Sequence, residues 1–591
     1  MNHPLEHLAD QNLRPTLRER PGQASLVQTM LMKAVRCHRA GQLTQAAKIY
    51  RQVLAIDREQ PDCLHLLGMI AYQAGGNDLA VTLIRKAIAV RLVNNDEQAS
   101  HYSNLGIVLQ SQGNIDEAAA CFEKALSLNP DLAEVHINLG NILQDKGELN
   151  DAMSCYERAL ALKPKLAEAH YGRGNILQAM DGNDGNKQRL DEAVACYERA
   201  LALKPGYAQA HYNRGCALAG LGQVENALAQ YRIALELQPD YPLASFRKSL
   251  AHLLRADVAH GRHDGWQNGW RNYEWRWQCP LKDHGTPMRS YTHPLWTGEK
   301  LTSGRLLIWA EQGVGDEIMF AGILPDVLRA GTRCVLDCDP RLQPLFARSF
   351  PDVEVVAKQS LPQNETAENN LEHELQSDIT AHIPIGSLPG LFRTTTASFS
   401  AAKSPYLVAD SEASEQFRAR YRDNDSKQKK SQQKRVIGLA WHTTNRKTGR
   451  YRSIELAQFV PLFAPPNIRW ISLQYGDHDA LQKEADEANA PLLVDRSVDQ
   501  LANLDIFASQ IAALDLVITI DNSTAHLAGA LGLPTWLLLP FAADWRWLEK
   551  REDSPWYPTL RLFRQTERGD WRSVIEKVQA EVRTQYSLLS T

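Results

Sequence analysis

The stretch HYSNLGIVLQSQGNIDEAAACFEKALSLNP, residues 101–130, decides the fold of the first half of the chain because its pattern recurs. Its glycine returns in matching motifs, at Gly106, Gly140, Gly174 and Gly215. Alanine, an aromatic residue, a second alanine and a closing proline keep the same register: Ala118, Ala152, Ala227; Phe122, Tyr156, Tyr231; Ala125, Ala159, Ala234; Pro130, Pro164, Pro239. Small residues let paired helices approach closely and proline ends the second helix, so the sequence predicts stacked helical hairpins.

This pattern of about 34 residues resembles the tetratricopeptide repeat, and the resemblance covers about residues 27–241. In the fifth repeat a seven-residue insertion around DGNDGNK (181–187) delays Ala193, Tyr197 and Pro205, and it predicts an extended loop between two helices. A last helix pair over 242–277 ends in DGWQNGWRNYEWRW. We expect its tryptophans to cap the array and pack it on the next part of the chain, and an aromatic ligand patch is the alternative.

Arrays of this kind bind a protein or an extended peptide along their concave face. Asn104, Asn138 and Asn213 share one position on the first helix of their repeats. A ladder of asparagine amides can hydrogen-bond a peptide backbone whatever its sequence, so we predict a peptide ladder here. The alternative interpretation is that these side chains are simply solvated.

The composition of the 591 residues excludes several classes of protein. A net charge of −4 offers no electrostatic footprint for nucleic acid, and no apolar run is long enough to span a bilayer. The start of the chain is polar and has no apolar core, so we expect no secretory signal. The nine cysteines show neither pairing rhythm nor metal-ligand spacing, which favours a cytoplasmic protein.

The second half alternates short apolar runs with helical patterns, which predicts α/β units with parallel sheets. The predicted strands fall in two groups: GRLLIWA (304–310), RCVLDCD (333–339) and VEVVA (353–357), then VIGLAWH (436–442), IRWISLQY (468–475), LDLVITID (514–521) and TWLLLP (535–540). Two such halves place a cleft between the carboxyl ends of their sheets.

The stretch WAEQGVGDEIMFAGILP, residues 309–325, carries the first candidate for chemistry. It lacks the glycine spacing of dinucleotide sites and the GKS/T end of a phosphate loop, so it supports neither a nicotinamide nor an ATP site. Asp316 stands at the start of a predicted helix. Its carboxylate either caps that helix or accepts a proton from a hydroxyl held in the cleft.

Two stretches of the second lobe suit a diphosphate. WHTTNRKTGRYRSIEL, residues 441–456, places Arg446, Lys447, Arg450 and Arg452 directly after a strand, and a solvated basic loop is the alternative. In IDNSTAHLAGALG (520–532) a strand runs into a helix whose first residues are Asn522, Ser523, Thr524 and Ala525. Their free backbone N–H groups and the helix dipole form an anion site, unless this is an ordinary capped helix.

Together, GVGDEIMFAGILP and IDNSTAHLAGALGLP resemble the heptosyltransferase-type glycosyltransferases of the two-lobed GT-B fold, over about residues 301–575. The resemblance implies that Asp316 is the catalytic base and that Gln312, Gly313 and Gly315 form a turn facing the acceptor. It also implies a donor-diphosphate site, whose residues are Lys447, Arg450, Arg452, Asp521, Asn522, Ser523, Thr524, Ala525 and His526. Asn522-Ser523 stands where that family often has Thr-Gly.

The fold class predicted for the whole chain is thus a tetratricopeptide-repeat α-solenoid followed by an α/β GT-B unit of two Rossmann-like halves. The predicted divisions are a polar tail (1–26), the solenoid with its tryptophan-rich cap (27–277), a linker (278–300), the acceptor lobe (301–419), a charged linker (420–435) and the donor-binding lobe (436–591). A similar architecture occurs in the protein O-linked N-acetylglucosamine transferases and in a bacterial group of repeat-bearing glycosyltransferase-like proteins.

The predicted function is that of an inverting glycosyltransferase that uses a nucleotide-diphosphate sugar as co-substrate, with no cofactor and no metal. The sugar is a hexosyl, heptosyl or N-acetylhexosaminyl group, and the repeats recruit a protein acceptor or partner. DCD (337–339) follows a strand of the acceptor lobe, which is the wrong place for a metal-binding carboxylate pair at the donor. The alternative function is an interaction scaffold whose GT-B domain is not catalytic.

Overall fold

A computed structural model divides the chain into two compact units. One comprises Met1–Leu177 with Ala195–Pro205, and the other comprises Gln178–Val194 with Gly206–Thr591. This division differs from the predicted one, which assigned residues 27–277 to a single solenoid. The structure describes residues 21–90, 94–184, 187–256, 265–280, 288–289, 291–358, 378–399, 405–422, 434–443 and 449–586.

The first part of the described chain is helical. Its helices follow one another with short turns: α1 (Pro21–Arg39), α2 (Leu43–Ile56), α3 (Pro61–Gln73), α4 (Asn77–Ala89), α5 (Asn95–Ser111), α6 (Ile115–Leu128), α7 (Ala133–Lys146), α8 (Leu149–Leu162), α9 (Ala167–Asp184), α10 (Lys187–Leu203), α11 (Ala208–Gly220) and α12 (Val224–Leu237). Consecutive helices pack as hairpins, as in α5 with α6 and α11 with α12. The predicted helical solenoid is confirmed.

The repeated glycine is explained by the aromatic residue of the same hairpin. A Cβ built on Gly106 would lie 2.6 Å from the ring of Phe122, and one built on Gly215 would lie 2.6 Å from the ring of Tyr231. Phe122 and Tyr231 are almost completely buried. The aromatic side chain therefore occupies the space that any larger residue at the glycine would need.

The inserted residues of the fifth repeat do not form the long loop that the sequence predicts. Instead, α9 continues to Asp184 and α10 begins at Lys187, so only residues 185–186 separate the helices and lie outside the described residues. α9 has 18 residues, against 14 in α7. The insertion is absorbed because each added residue continues the helical hydrogen-bond pattern at no cost in nucleation.

The tryptophan-rich segment forms α13 (Pro242–Leu254), α14 (Gly265–Tyr273) and a 3₁₀ turn, Glu274–Gln278. Trp266 and Trp270 are buried, and both indole N–H groups find partners in the α/β part of the same unit. Trp270 donates to the carbonyl of Arg393 (2.9 Å) and Trp266 donates to Thr396 Oγ1 (3.1 Å). These contacts agree with the predicted packing role.

The first sheet has four parallel strands in the order β3-β2-β1-β4. They are β1 (Arg305–Trp309), β2 (Cys334–Cys338), β3 (Glu354–Ala357) and β4 (Ile379–Pro384). The helices of this region are α15 (Val314–Ala321), α16 (Leu324–Arg329), α17 (Gln343–Ser349), α18 (Leu388–Phe392) and α19 (Ser411–Arg422). Strands β1, β2 and β4 are almost wholly buried, as expected for a parallel sheet covered on both faces.

The second sheet has six parallel strands in the order β10-β9-β8-β5-β6-β7. They are β5 (Arg435–Ala440), β6 (Ile468–Ser472), β7 (Leu492–Leu493), β8 (Leu516–Ile520), β9 (Thr535–Leu539) and β10 (Leu560–Arg564). Its helices are α20 (Gly449–Arg452), α21 (His478–Glu487), α22 (Leu504–Ala512), α23 (Ser523–Ala530) and α24 (Trp571–Tyr586). The predicted α/β character of the second half is confirmed at this level.

The strand order of the second sheet reverses between β5 and β8. From β5 the chain builds outward to β7, and it then returns to the other side of β5 and builds outward again to β10. Loops that leave two such strands run in opposite directions and open a crevice at the carboxyl edge of the sheet, where ligands of doubly wound folds bind. The fold therefore predicts a ligand site among the residues that follow β5 and β8.

The predicted linkers are only partly linkers. In 278–300, Trp296 is buried and its backbone N–H donates to the carbonyl of His382 (2.8 Å), because the segment runs beside β4. In 420–435, α19 continues to Arg422 and β5 begins at Arg435, while residues 423–433 lie outside the described part of the chain. Most of the polar stretch 359–378 also lies outside it.

Candidate functional site

Two of the stretches predicted to carry chemistry meet in the structure. Asp316 lies in the first turn of α15, which follows β1, and this helix packs against α23, which follows β8. Gly315 permits the close approach, because a Cβ there would lie 3.0 Å from Cδ2 of His526. The carboxyl edges of the two sheets are thereby brought together at the reversal point of the second sheet.

Arg546 joins the two sheets at this point. It lies in the 3₁₀ turn Trp545–Trp547 after β9, and its Nε donates to Asp316 Oδ1 (2.8 Å). A second N–H of the same guanidinium also donates to Asp316, and a third donates to Asp544 Oδ1 (2.6 Å). Asp316 and Arg546 are only 17% and 16% exposed, so the ion pair is shielded from screening by solvent.

Arg452 makes a second bridge beside the first. Its Nη1 lies 2.9 Å from Asp521 Oδ2, and its Nη2 donates to Asp544 Oδ2 (3.3 Å). Trp547 Nε1 donates to the other oxygen of Asp521 (2.8 Å). We call Asp316, Arg452, Asp521, Asp544 and Arg546 the charged cluster.

The carboxylates of the charged cluster respond differently to their surroundings. Burial raises the pKa of Asp521, and Arg452 opposes this shift only in part. Burial also acts to raise the pKa of Asp544, but the two flanking guanidiniums outweigh it and hold that pKa at about 2. Asp544 is thus the fixed negative charge that holds both arginines in place.

The charged cluster has three carboxylates and two guanidiniums, so its formal charge is −1. Within it, each arginine is already bound by two carboxylates. Of the other predicted cations, Arg446 and Lys447 lie outside the described residues, and the side chain of Arg450 is not described. An anion that binds here must compete with the carboxylates of the cluster for Arg452 or Arg546.

The start of α23 has the predicted cap and also unmet hydrogen-bonding capacity. Asn522 Oδ1 accepts weakly from the backbone N–H of Ala525 (3.4 Å) and from Thr519 Oγ1 (3.0 Å). Asn522 Nδ2 and Thr524 Oγ1 are buried without a hydrogen-bond partner among the described residues, while Ser523 is half-buried. Buried polar atoms usually form hydrogen bonds, so these two are candidate contacts for a ligand bound at the start of α23.

His526 lies behind this turn and not on its surface. It is 5% exposed, its Nδ1 lies 2.9 Å from the Tyr557 hydroxyl, and its ring stacks on Trp547 with centroids 5.0 Å apart. Burial, assisted by Arg546, lowers the pKa of His526 to about 4. The imidazole is neutral near pH 7 and orients the turn.

The predicted acceptor turn is held by residues that the sequence did not single out. Gln312 Nε2 donates to the Tyr273 hydroxyl (2.8 Å), and Gly313, directly before α15, is exposed. Arg276 donates to both oxygens of Glu311, at 2.9 Å each, and both side chains are wholly buried. The 3₁₀ turn after α14 is thereby fixed to the carboxyl end of β1.

The asparagine ladder is not present as predicted. Asn104 is 6% exposed and its Nδ2 lies 2.8 Å from His65 Nε2, so its amide is used inside the repeats and is not offered to a peptide. Asn138 is half-buried, and Asn213 belongs to the other compact unit. Whether Asn138 and Asn213 contact a peptide stays a prediction.

A cavity of about 820 Å³ lies beside the charged cluster, at the same carboxyl edge of the second sheet. Tyr451, which precedes Arg452 of the cluster, is one of its lining residues. Further lining residues follow strands β5, β6, β9 and β10: Trp441, His442, Tyr475, Gly476, Pro540, Phe541 and Gln565. The stretch 441–456, which the sequence predicts to bind a diphosphate, supplies several residues of this cavity.

Family models match the helical part of the chain. The model described as tetratricopeptide repeat matches residues 60–131 and 97–165, a second described as TPR repeat matches 186–222, and a third, again tetratricopeptide repeat, matches 208–241. The helical region is an array of tetratricopeptide repeats. Such repeats support a role in protein interaction.

Two curated proteins are similar to parts of the chain. Protein FlbA of Caulobacter vibrioides is 30% identical over 372 residues, which are 61% of this chain and 59% of FlbA. This chain therefore spans less than two thirds of that relative. Tetratricopeptide repeat protein 7B of Homo sapiens is 34% identical over 88 residues, 15% of this chain and 10% of that protein.

Solved structures resemble the chain only in part. YrrB, described as a TPR protein with an unusual peptide-binding site, is 25% identical to this chain. The match covers 34% of this chain and 100% of YrrB, with a TM-score of 0.29. PilF of Pseudomonas aeruginosa is 19% identical, with 38% of this chain and 96% of PilF covered and a TM-score of 0.33. Within the described residues, no helix is both long enough and apolar enough to cross a membrane.

Proposed function

We propose that the chain is an inverting glycosyltransferase of the GT-B type that transfers a sugar from a nucleotide-diphosphate sugar to a hydroxyl group, with its repeats recruiting a protein. One observation carries the proposal. Asp316, after the first strand of one parallel sheet, lies against α23 at the strand-order reversal of the other sheet. A proton acceptor and a phosphate-binding helix start are what a single displacement at an anomeric carbon requires at one place.

In the proposed reaction, Asp316 accepts the proton of the acceptor hydroxyl as its oxygen attacks the anomeric carbon. The bond from that carbon to the diphosphate breaks, and the nucleoside diphosphate leaves with the bonding electrons. The backbone N–H groups of Ser523 and Thr524 and the unpaired Asn522 Nδ2 would bind the departing phosphate oxygens, whereas the N–H of Ala525 already donates to Asn522. No metal takes part in this proposal.

The ion pair between Asp316 and Arg546 gives the proposal a further step. Two N–H groups of Arg546 donate to the same oxygen of Asp316, Oδ1, so the guanidinium occupies the position from which an acceptor hydroxyl would approach that oxygen. A diphosphate at the start of α23 carries enough negative charge to draw Arg546 away from Asp316. Donor binding would then free the base, and the order of binding would be donor first and acceptor second.

The test is transfer by Asp316→Asn across a panel of nucleotide sugars. We expect transfer to fall by about 10²–10⁴-fold, the usual cost of removing a general base, while donor binding measured by thermal shift is retained. Asp352→Asn is the control, because Asp352 is an exposed carboxylate of the same region and lies outside the charged cluster. Transfer at the wild-type rate by Asp316→Asn would remove the proposed base.

The alternative is a repeat-based interaction scaffold with a non-catalytic α/β part. It is favoured by the same ion pairs, since Arg452 and Arg546 are each held by two carboxylates. Thermal shift with UDP-, GDP- and ADP-sugars separates the two candidates. Stabilisation by none of them, together with capture of a protein partner by the full chain, would support the scaffold against the enzyme.

A further inference from the structure

The cavity beside the charged cluster has a wall made of helical residues of the same compact unit. Gln178 and Asp181 of α9 and Gly220 of α11 line it opposite the strand ends of the second sheet. Asp181 begins the stretch DGNDGNK, around which the fifth repeat has its insertion. The lengthened α9 thus supplies one side of a cavity whose other side is the carboxyl edge of an α/β sheet.

Arg568 fixes this wall to the sheet. Its Nη2 donates to Asp181 Oδ2 and its Nη1 donates to the carbonyl of Gly220, each at 2.5 Å. The side chains of Arg568 and Asp181 are 12% and 7% exposed, so their charges offset each other inside the wall. The cavity is therefore a built feature with a buried ion pair behind it.

The charge of the lining distinguishes this cavity from the start of α23. Among the described lining residues the carboxylates are Asp181, Glu455, Asp477 and Glu484, against one guanidinium, Arg568, so the described part of the lining has a formal charge of −3. Glu484 accepts a hydrogen bond from Trp441 Nε1 (2.9 Å), whereas Glu455 and Asp477 are exposed. These described carboxylates favour a cation over a phosphate beside them.

A buried amide in the cavity lacks an acceptor. Gln565 is 6% exposed, and its Oε1 accepts from the backbone N–H groups of Phe541 (3.0 Å) and Gly569 (3.2 Å). These two bonds fix the orientation of the amide, and its Nε2 has no partner among the described residues. This buried N–H group can donate to an acceptor oxygen that reaches it from the cavity, and the carbonyl of an extended peptide supplies one.

We propose that this cavity binds an extended segment of polypeptide that carries a lysine or arginine side chain. A backbone carbonyl of the segment accepts from Gln565 Nε2, and its basic side chain is directed to the carboxylates of Glu455 and Asp477. Phe541, 39% exposed, and Tyr475 add aromatic surface that attracts a cation. A cavity of about 820 Å³ is within the range of about 300–1,000 Å³ that ligand sites occupy.

The binding itself does not depend on catalysis. Only the further identification of the bound segment as the sugar acceptor rests on the proposed function, since Tyr451 connects the cavity to Arg452 of the charged cluster. Binding is therefore measured without any nucleotide sugar. A chain that binds the peptide but transfers no sugar would contradict the glycosyltransferase and leave the peptide site standing.

The experiment uses the full chain and two fluorescein-labelled peptides, Gly-Ser-Gly-Lys-Ser-Lys-Ser-Gly and the same peptide with glutamate in place of lysine. Fluorescence anisotropy is expected to show binding of the lysine peptide only, weakening as salt rises. The double variant Glu455→Gln, Asp477→Asn is expected to weaken binding about three- to tenfold, the range for two exposed charge contacts. Asn at 477 keeps the cap of α21, where Asp477 now accepts from the N–H of Ala480.

Two further variants make the outcome decisive. Asp479→Asn is the matched control, because Asp479 is exposed on the same helix but does not line the cavity, and it should leave binding unchanged. Gln565→Met removes the amide at similar volume and should weaken binding of the lysine peptide without changing its dependence on salt. The proposal would be overturned by equal binding of the two charged peptides or by no binding of the lysine peptide. It would also be overturned if the double variant bound UDP more tightly than wild type, because that would show a nucleotide site.

Discussion

At the scale of single residues, His526 shows how burial sets the charge of the site. The imidazole is enclosed by Trp547 and Tyr557 and lies near the cation Arg546, so both desolvation and charge repulsion disfavour its protonation. Its pKa of about 4 lies below the value of 6.5 for an unperturbed histidine. A protonated His526 would repel the neighbouring guanidinium of Arg546. The two carboxylates bound to Arg546 already neutralise that guanidinium.

This shift predicts a pH dependence of stability. Between pH 6.5 and 4 the unfolded chain takes up a proton at residue 526 that the folded chain does not, so this residue lowers the free energy of unfolding as pH falls. The effect approaches about 3 kcal/mol. Glu317, whose pKa burial raises to about 7, acts in the opposite direction over a similar range, so the comparison must be between variants.

The measurement is chemical unfolding of wild type and His526→Gln at several pH values from 4.5 to 7. The variant should lose less stability than wild type as pH falls. Tyr557→Phe is the control: it removes the hydrogen bond to Nδ1 but leaves the imidazole buried, so it should cost about 1 kcal/mol at every pH and retain the slope. Identical slopes for wild type and His526→Gln would contradict the assignment of a neutral, buried imidazole.

The sequence predicted some residues at this scale and could not predict others. Asp316 and the turn Asp521–His526 were identified because each follows a strand at the start of a helix, a pattern that is local in the sequence. Arg546 and Asp544 lie in DWRWL (544–548), whose role no local pattern indicates, since which carboxylate an arginine binds depends on packing between distant segments. The same limit explains Asn104, whose partner His65 lies 39 residues away.

At the scale of elements, the paired helices depend on a small residue facing an aromatic ring. Helix α5 can pack on α6 because Gly106 leaves room for Phe122. The period of the sequence predicted this hairpin well, since the signal is local and repeated. The prediction of a loop at the insertion is wrong because a glycine-rich composition favours turns, whereas here both helices continue into the inserted stretch.

We predict that Gly106→Val opens the α5–α6 hairpin. The first added carbon would lie 2.6 Å from the buried Phe122 ring, and overpacking of this kind costs about 1–3 kcal/mol, more than the small gain in helix propensity. Hydrogen exchange should show faster exchange in α5 and α6, with partial recovery when Phe122→Leu is added. Gly206→Val is the control, because a Cβ there meets no atom within 4 Å. Unchanged protection in Gly106→Val would contradict the packing argument.

At the scale of the whole α/β part, two parallel sheets are joined through buried charges at their carboxyl edges. Arg546, in the turn after β9 of the second sheet, binds Asp316, in the helix after β1 of the first. Asp544 and Arg452 extend this bridge to Asp521. The alternation of strands predicted the two sheets, but neither the order of the strands nor the bridge could be read from it. The bridge affects how strongly the site binds an anion, because every cation described in it is already paired with a carboxylate.

The last prediction concerns this competition between carboxylates and an anion. Removing one carboxylate should favour an incoming anion, so Asp316→Asn should bind inorganic pyrophosphate more tightly than wild type, whereas Arg546→Gln should bind it more weakly. A contact between charged groups is worth about 1.5–3 kcal/mol, which corresponds to roughly a tenfold change or more in Kd. Isothermal titration at constant ionic strength measures both variants, with Asp352→Asn as the control. Weaker pyrophosphate binding by Asp316→Asn would show that Asp316 holds Arg546 in place for the anion and does not compete with the anion. The proposed release of Asp316 by the bound donor would then be wrong.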